Sequence, residues 1–263
     1  MARIAPLFSG SSGNCYYIGS SQRGILVDAG RSAKQIMEAL DRCEIPLKKV
    51  EAIFVTHEHS DHISGLRVLE KRMKVPVFAS EGTLCAIESM GAVEAECPLF
   101  PLSAGVECAD MWIEPFATMH DCAQSCGYRI QTADDRVLTF CTDLGTVTPE
   151  VEKALDHTDF AVIESNHDVG MLMNGPYPYP LKRRILSSYG HLSNDTCSSL
   201  LPGLAEKGTG RFMLAHLSRE NNTPEIARQS ACCALTMAGL RENVDYQLYV
   251  APRENAQGAV ILF

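Results

Sequence analysis

One short stretch decides the interpretation of the whole chain, and it reads Thr56-His57-Glu58-His59-Ser60-Asp61-His62. Three histidines and an aspartate fall within six residues, directly after the apolar run Ala52–Val55 that predicts a β-strand. A tight loop at a strand end can turn several such side chains toward one point. Their close spacing fits two adjacent metal sites better than one. Neutral imidazoles bind Zn, Fe, Ni or Mn, and the carboxylate adds a preference for harder ions.

Four further candidates follow predicted strands elsewhere in the chain: Asp28, His120, Asp143 and His216. Each one alone is more often a cap or a surface group, and it is their common placement that makes them candidates. Asp28 also precedes Ala29-Gly30. It is therefore either an acceptor that fixes a ligand imidazole or a simple turn residue.

Composition limits the class of protein. The chain has 263 residues, of which 46% are hydrophobic and 21% charged, and its formal net charge is −9. These proportions exclude disordered and fibrous classes. No run approaches the roughly 20 apolar residues of a membrane span, and the first residues do not read as an export signal, so we expect a cytoplasmic protein. The acidic balance disfavours a broad duplex-binding face but permits a local phosphate site.

Strand-like and helix-like patterns alternate without a linker, which predicts one domain over residues 1–263 with helices covering sheets. Apolar residues at helical spacing predict helices along residues 33–40 and 63–69. Thr223 and Pro224 predict the N-cap and first residue of a helix that stops at Gly239. Pro202 predicts that the helix after Gly190-His191 is kinked or short. The predicted strands are Ile4–Phe8, Cys15–Ile18, Ile25–Val27, Ala52–Val55, Val75–Ala79, Trp112–Ala117, Gly127–Ile130, Val137–Phe140, Phe160–Ile163 and Phe212–Ala215.

The candidate ligands resemble the pattern of metallo-β-lactamase-fold hydrolases, in which an early Asp precedes H-x-H-x-D-H and a distant His, Asp and His. The resemblance spans most of the chain and implies an α/β (α+β) fold, a four-layer αββα sandwich. It also implies two divalent metal ions, Zn or Mn and less expectedly Fe. It assigns the first ion to His57, His59 and His120, the second to Asp61, His62 and His216, and the bridging position to Asp143. Drug-hydrolysing members commonly carry a cysteine ligand here, so β-lactamase activity is not expected.

Longer segments narrow the resemblance. Gly190-His191-Leu192-Ser193 and the later Leu214–Ser218 resemble the tRNase Z-like nucleases, which implies that His191 donates a proton to the leaving oxygen. Without the resemblance, His191 would equally be a histidine beside a helix cap. The pattern is closer still to the YycJ (WalJ) family of single-domain proteins. The segments that carry this resemblance are Phe8–Asn14, His120-Asp121, Glu164–Asp168, Tyr177–Leu186, Gly190–Asn194 and His216–Asn222.

The YycJ family is regarded as DNA exonuclease-like and has been linked to mismatch repair. The resemblance therefore implies a metal-dependent phosphodiesterase, a DNA exonuclease that acts at the 5′ end of single-stranded DNA. It further implies that a metal-activated hydroxide attacks phosphorus, that Asp61 orients this hydroxide, and that His191 protonates the departing 3′-oxygen. Single-stranded DNA ends are the expected partner, and no membrane is expected to take part.

Weaker patterns suggest where a strand would bind. Lys182-Arg183-Arg184 is the densest basic run, and it either meets phosphates or forms a solvated surface. The small residues Gly10–Asn14 form either a phosphate-binding loop or a plain hairpin turn. Tyr177 and Tyr179 stand between prolines and either stack on a base or pack a loop. The predicted substrate contacts are Ser11, Asn14, Asn166, His167, Lys182, Arg183, Arg184, Ser218 and Asn222.

Two other functions are compatible with the same ligands. A thioester, lactone or small phosphodiester hydrolase shares the ligand set, and the acidic net charge favours it. His191 and the basic run Lys182–Arg184 favour the nuclease. A metal-stabilised regulatory or binding module without catalysis is disfavoured, because the ligand set is complete and a proton donor accompanies it.

Overall fold

A computed structural model describes all of residues 1–263, and within it the chain forms two compact units. Unit 1 comprises Met1–Pro115, Cys122–Arg136 and Pro252–Phe263. Unit 2 comprises Phe116–Asp121 and Val137–Ala251. The single domain expected from the sequence stays a prediction.

Strands and helices alternate along most of the chain. The strands are β1 (Arg3–Phe8), β2 (Cys15–Gly19), β3 (Gly24–Val27), β4 (Val50–Phe54), β5 (Val77–Ala79), β6 (Leu99–Pro101), β7 (Val106–Cys108), β8 (Met111–Ala117), β9 (Cys126–Gln131), β10 (Val137–Cys141), β11 (Phe160–Glu164), β12 (Arg211–Ala215), β13 (Gln247–Val250) and β14 (Ile261–Leu262). The helices are α1 (Ala33–Arg42), α2 (Ser60–Ile63), α3 (Leu66–Met73), α4 (Glu81–Ser89), α5 (Pro149–Leu155), α6 (Val169–Asn174), α7 (Tyr179–Ile185), α8 (Asn194–Glu206) and α9 (Pro224–Met237).

Unit 1 contains a seven-stranded sheet of order β14-β1-β2-β3-β4-β5-β6. Pairing is antiparallel from β14 to β3 and parallel from β3 to β6, and β7 pairs antiparallel with β8. Every residue of β2 and β3 is buried, which explains their continuous apolar sequences. Because β3 and β4 are parallel and pair Val27 with Phe54, Asp28 and the loop after Val55 leave the sheet at the same edge.

Unit 2 contains four parallel strands in the order β13-β12-β11-β10. Their apolar side chains share one core cluster with Leu201 of α8 and Leu235 of α9. The register pairs Cys141 with Ile163, and Ile163 with Leu214. The carboxyl ends of β10, β11 and β12 therefore form one edge, and the residues that follow them leave the sheet together.

Helix α9 confirms its predicted start and end. Its first residue is Pro224, Thr223 accepts a hydrogen bond from the amide of Ile226, and Gly239 follows the helix with φ +82°. The helix predicted along residues 63–69 is instead divided into α2 and α3. Its Val68 is 61% exposed, so the assignment of that residue to an apolar face was wrong. No helix combines the length and the apolar character needed to cross a bilayer.

Helix α8 corrects a second expectation. It runs for 13 residues with Pro202 inside it, although the proline predicted a short or kinked helix. A proline removes one backbone hydrogen bond from the helix interior. Leu201 and Leu204, on either side of Pro202, are both buried in the unit 2 core. Their burial holds the chain helical past the proline.

Candidate metal and catalytic centre

Unit 1 gathers the four side chains of the H-x-H-x-D-H motif in the loop and short helix after β4. The ring of His57 lies 4.6 Å from that of His59 and 4.1 Å from that of His62, measured between ring centroids. His59 occupies the N-cap of α2, and Asp61 and His62 belong to its single turn. This turn brings Asp61 back beside His62, with 3.7 Å between Oδ2 and Nε2.

Asp28 holds His62 from behind. Its Oδ2 lies 2.7 Å from Nδ1 of His62, and both the amide and the hydroxyl of Thr56 donate hydrogen bonds to the same carboxylate. Asp28 is fully buried, and this burial raises its pKa in spite of the opposing hydrogen bonds from His62 and Thr56. Of the two interpretations offered by the sequence, the contacts match an acceptor that fixes an imidazole.

Asn14 lies among the predicted ligands of unit 1. Its Nδ2 lies 3.0 Å from Nε2 of His62 and 3.3 Å from the carbonyl oxygen of Asp61, and its Oδ1 accepts from the amide of Gly10. The side chain is buried and contacts the motif itself, and its role as a substrate contact stays a prediction. Ser11, in the same loop, is exposed.

Unit 2 gathers a second set at the shared edge of β10, β11 and β12. Asp143 Oδ1 lies 3.2 Å from Nδ1 of His216, 3.8 Å from Nδ1 of His191 and 4.0 Å from Nε2 of His120. Asp143 and His216 come directly after β10 and β12. His191 is hydrogen-bonded to Glu164 at the end of β11, and His120 to the carbonyl of Gly190. His191 has the most exposed side chain of the three histidines, at 15%.

Glu164, which the sequence indicated only as part of the segment Glu164–Asp168, contacts two of these histidines. Its Oε1 lies 2.8 Å from Nδ1 of His191 and 2.7 Å from Nδ1 of His216. Its Oε2 accepts from the amides of Leu144 and Leu192. Burial alone would raise the pKa of this carboxyl, but the charges and hydrogen bonds of the two histidines outweigh it and hold the pKa well below its usual range. The feature that could have indicated Glu164 is its position as an acidic residue at the end of a fully buried strand.

The donor sets of both units fit divalent metal ions. Three imidazoles have Nδ1 against an acceptor: His62 on Asp28, His120 on the carbonyl of Gly190, and His216 on Glu164. A histidine that donates from Nδ1 keeps its lone pair on Nε2, which is how metal-binding histidines are usually held. Together with the carboxylates of Asp61 and Asp143, these are the mixed nitrogen and oxygen donors that Zn, Mn and Fe accept.

Three of these residues have left-handed backbone conformations. Asp28, Asp143 and His216 have φ values of +64°, +56° and +55°. Non-glycine residues rarely adopt this region, and each such residue stores strain of order 1 kcal/mol. The bend turns the chain sharply just after β3, β10 and β12. All three strained residues belong to the predicted site.

Several predicted substrate contacts have internal partners instead. Lys182 donates to the carbonyls of Met173 and Gly175, and Arg184 forms a two-point ion pair with Asp121. Asn222 is buried and bonded to Ser165, Asn166, Asn194 and Thr223. These contacts give the three side chains structural partners within the chain, and their role as substrate contacts stays a prediction. Arg183 is exposed and forms no ion pair.

The remaining predicted contacts lie close to β11 and β12. Asn166 donates from Nδ2 to the carbonyl of His216, and Ser218 accepts from the amide of Asn221. Both side chains are buried, and their role as substrate contacts stays a prediction. His167 is also buried, neither ring nitrogen has a hydrogen-bond partner, and burial lowers its pKa.

Comparison with known proteins connects these arrangements to a family. Residues 23–217 match the family model described as a β-lactamase superfamily domain. The chain is 36% identical over 247 residues to exodeoxyribonuclease WalJ of Streptococcus pneumoniae, covering 92% of this chain and 91% of that protein. It is also 36% identical over 245 residues to exodeoxyribonuclease YycJ of Bacillus anthracis, covering 92% of each.

A solved structure confirms the fold class. The metallo-β-lactamase fold protein YhfI from Bacillus subtilis superposes with a TM-score of 0.71 and 16% sequence identity, covering 99% of this chain and 98% of that one. At this identity the likeness concerns the fold alone. The metallo-β-lactamase fold that the resemblance implied is therefore confirmed.

Proposed function

The chain belongs to the β-lactamase superfamily and, within it, to the WalJ/YycJ family, and from this premise we propose that it is a metal-dependent exodeoxyribonuclease that removes nucleotides from the 5′ end of single-stranded DNA. Both the family membership and the metal-donor side chains of the two units support metal-dependent hydrolysis. The single observation that best supports a nuclease is the Glu164 carboxylate, which contacts Nδ1 of both His191 and His216. We also propose that the protein acts in the cytoplasm and takes part in mismatch repair.

The proposed metal ligands are the set that the family resemblance implies. One ion is assigned to His57, His59 and His120, a second to Asp61, His62 and His216, and Asp143 to both. Divalent ions bound there would lower the pKa of water and neutralise charge on the phosphate oxygens. Zn and Mn both suit this donor set, with Fe as a further candidate.

His191 is the proposed general acid. Since Glu164 is an ionised acceptor, Nδ1 of His191 must donate to it, and the other ring nitrogen is left to carry a transferable proton. Through that second ring nitrogen His191 can protonate the departing 3′-oxygen as general acid. A partly exposed ring suits this task, because a proton donor must reach the substrate.

Asp61 is the proposed group that orients the attacking water. Its side chain is 23% exposed and lies beside His62, so one carboxylate oxygen can accept a hydrogen bond from water. Orientation of this kind aligns the attack opposite the leaving oxygen. Asp61 therefore has two proposed roles, ligand and positioning group.

The decisive experiment compares DNA labelled at either end. With Mn²⁺ added, 5′-labelled single-stranded DNA should release labelled mononucleotide at once, while 3′-labelled DNA should shorten gradually. A chelator should abolish both reactions. Release from the 3′-labelled strand first would contradict the proposed polarity.

A substrate panel separates the competing functions. A chromogenic phosphodiester and a glutathione thioester should be assayed beside the DNA under the same conditions. Turnover of the thioester without turnover of DNA would instead identify a small-molecule hydrolase. Stoichiometric metal without turnover of any substrate would identify a non-catalytic module.

A further inference from the structure

The segment 169–194 differs in charge from the rest of the chain. It contains three basic residues, Lys182, Arg183 and Arg184, and no acidic residue. The whole chain has 23 basic and 32 acidic residues, so everything outside this segment is strongly acidic. Repulsion from the acidic remainder disfavours a polyanion elsewhere, whereas this segment carries only basic charges of its own.

The same segment exposes an unusual share of apolar side chains. Of the 13 large hydrophobic residues exposed in the chain, five lie here: Val169, Met173, Tyr179, Leu186 and Tyr189. Tyr179 is 67% exposed and Tyr189 is 53% exposed. Scattered single residues of this kind need no explanation, but a concentration beside basic residues indicates an interaction surface.

Helix α7 arranges part of this set in one row. Tyr179, Arg183 and Leu186 stand at i, i+4 and i+7, so they share one face of the helix, and Ile185 is the buried residue of α7. Lys182 ties α6 to α7 through the carbonyls of Met173 and Gly175. We call the six exposed side chains the α6–α7 face: Val169, Met173, Tyr179, Arg183, Leu186 and Tyr189.

The α6–α7 face adjoins the proposed general acid. The amide of His191 donates to the carbonyl of Ile185, the last residue of α7, at 3.0 Å. Tyr189 stands two residues before His191, and the amide of Gly190 donates to the carbonyl of Ser187. A single DNA strand whose end lies at His191 can therefore continue directly onto the α6–α7 face.

We propose that the α6–α7 face binds the single-stranded DNA substrate next to the cleaved end, with bases stacked on Tyr179 and Tyr189 and a phosphate paired with Arg183. The inference rests on the proposed nuclease function. Flat aromatic rings suit unpaired bases of any sequence, and a free guanidinium suits the backbone between them. Duplex DNA hides its base faces, so this surface selects a single strand.

The test measures binding of a mixed-sequence 20-nucleotide DNA, with uncleavable phosphorothioate linkages and a 3′ fluorescein, to the metal-loaded protein. Tyr179→Ala and Tyr189→Ala should each raise Kd about 10-fold, while Tyr179→Phe keeps the ring and should bind like wild type. Arg183→Ala should reduce the slope of log Kd against log salt by about 0.7. Trp112→Ala, at an exposed aromatic residue of unit 1, is the matched control and should leave Kd unchanged.

Turnover of a chromogenic phosphodiester separates this inference from the proposed function. Tyr179→Ala, Tyr189→Ala and Trp112→Ala should keep wild-type turnover of that small substrate, because it has no bases to stack. If wild type degrades single-stranded DNA but Tyr179→Ala and Tyr189→Ala bind it normally, the α6–α7 face is refuted and the nuclease stands. If wild type neither binds nor degrades DNA, both are refuted. Tighter binding of an RNA of the same sequence would refute DNA as the strand.

Discussion

Replacing Glu164 with glutamine tests the centre most directly. The substitution keeps the size and shape of the side chain and exchanges one acceptor oxygen for an amide donor. Wild-type Glu164 accepts at both oxygens, from two imidazoles at Oε1 and from two backbone amides at Oε2. In either orientation of the glutamine amide, its NH₂ group lies against two groups that themselves donate hydrogen bonds, either the two imidazoles or the two backbone amides.

The magnitude follows from those four contacts. A hydrogen bond to a charged group contributes ~1.5–3 kcal/mol, so losing two of them lowers the free energy of unfolding by about 3–6 kcal/mol. The rings of His191 and His216 can relieve part of this loss by moving their proton to Nε2. For His216 that shift removes the lone pair offered to the metal, and metal affinity then falls by about 10–100-fold. In either case we expect kcat to fall at least ~100-fold.

Three measurements follow the variant together: urea unfolding, metal titration with a chelator as competitor, and turnover of labelled DNA. Glu206→Gln is the matched control, since Glu206 is exposed at the end of α8, and it should change stability by less than ~0.5 kcal/mol. A Glu164→Gln protein with wild-type stability, metal affinity and turnover would refute the role given to this carboxylate.

Three further substitutions test separate parts of the centre. His191→Ala should lower kcat ~10²–10⁴-fold with metal content intact, measured by single-turnover cleavage and elemental analysis, and lost metal would contradict its role as acid. Asp143→Ala should weaken binding of both ions, and full occupancy of two ions per chain by elemental analysis would refute the bridging role. Asn222→Ala should lower the free energy of unfolding by about 3 kcal/mol in urea, because it leaves the buried carbonyl of Ser165 without its amide donor and removes one of the two donors to the carbonyl of Asn166. An unchanged unfolding midpoint would mean that water replaces the amide.

Most of the strands that the sequence predicted are buried ones. Strands β3, β4, β11 and β12 each contain an apolar run of at least three residues because both faces of the parallel sheets are covered. The missed strands lack that signal: β6 is Leu-Phe-Pro with two exposed residues, and β14 is two residues long. Pairing with a neighbour, and not composition, makes these segments strands. Such pairing depends on the tertiary structure and cannot be read from a short window.

The candidate ligands could be picked out from the sequence because the H-x-H-x-D-H motif follows β4 and because His120, Asp143 and His216 each follow a strand. Glu164 was not singled out, because its chemistry arises from convergence: His191 and His216 are 27 and 52 residues away in the chain. The internal partners of the basic run were hidden from the sequence for the same reason. Sequence shows three adjacent cations, but only the structure shows that Arg184 pairs with Asp121 and that Lys182 binds carbonyls.

The left-handed backbone at Asp28, Asp143 and His216 has an evolutionary consequence. Catalysis demands a carboxylate or an imidazole at these positions, whereas the chain path demands only a residue that tolerates positive φ. A descendant released from catalysis would lose the first demand and keep the second. Its positions 28, 143 and 216 should therefore drift toward glycine or asparagine and away from valine, isoleucine and threonine. Sequences of this family with that substitution pattern should be folded proteins that no longer cleave.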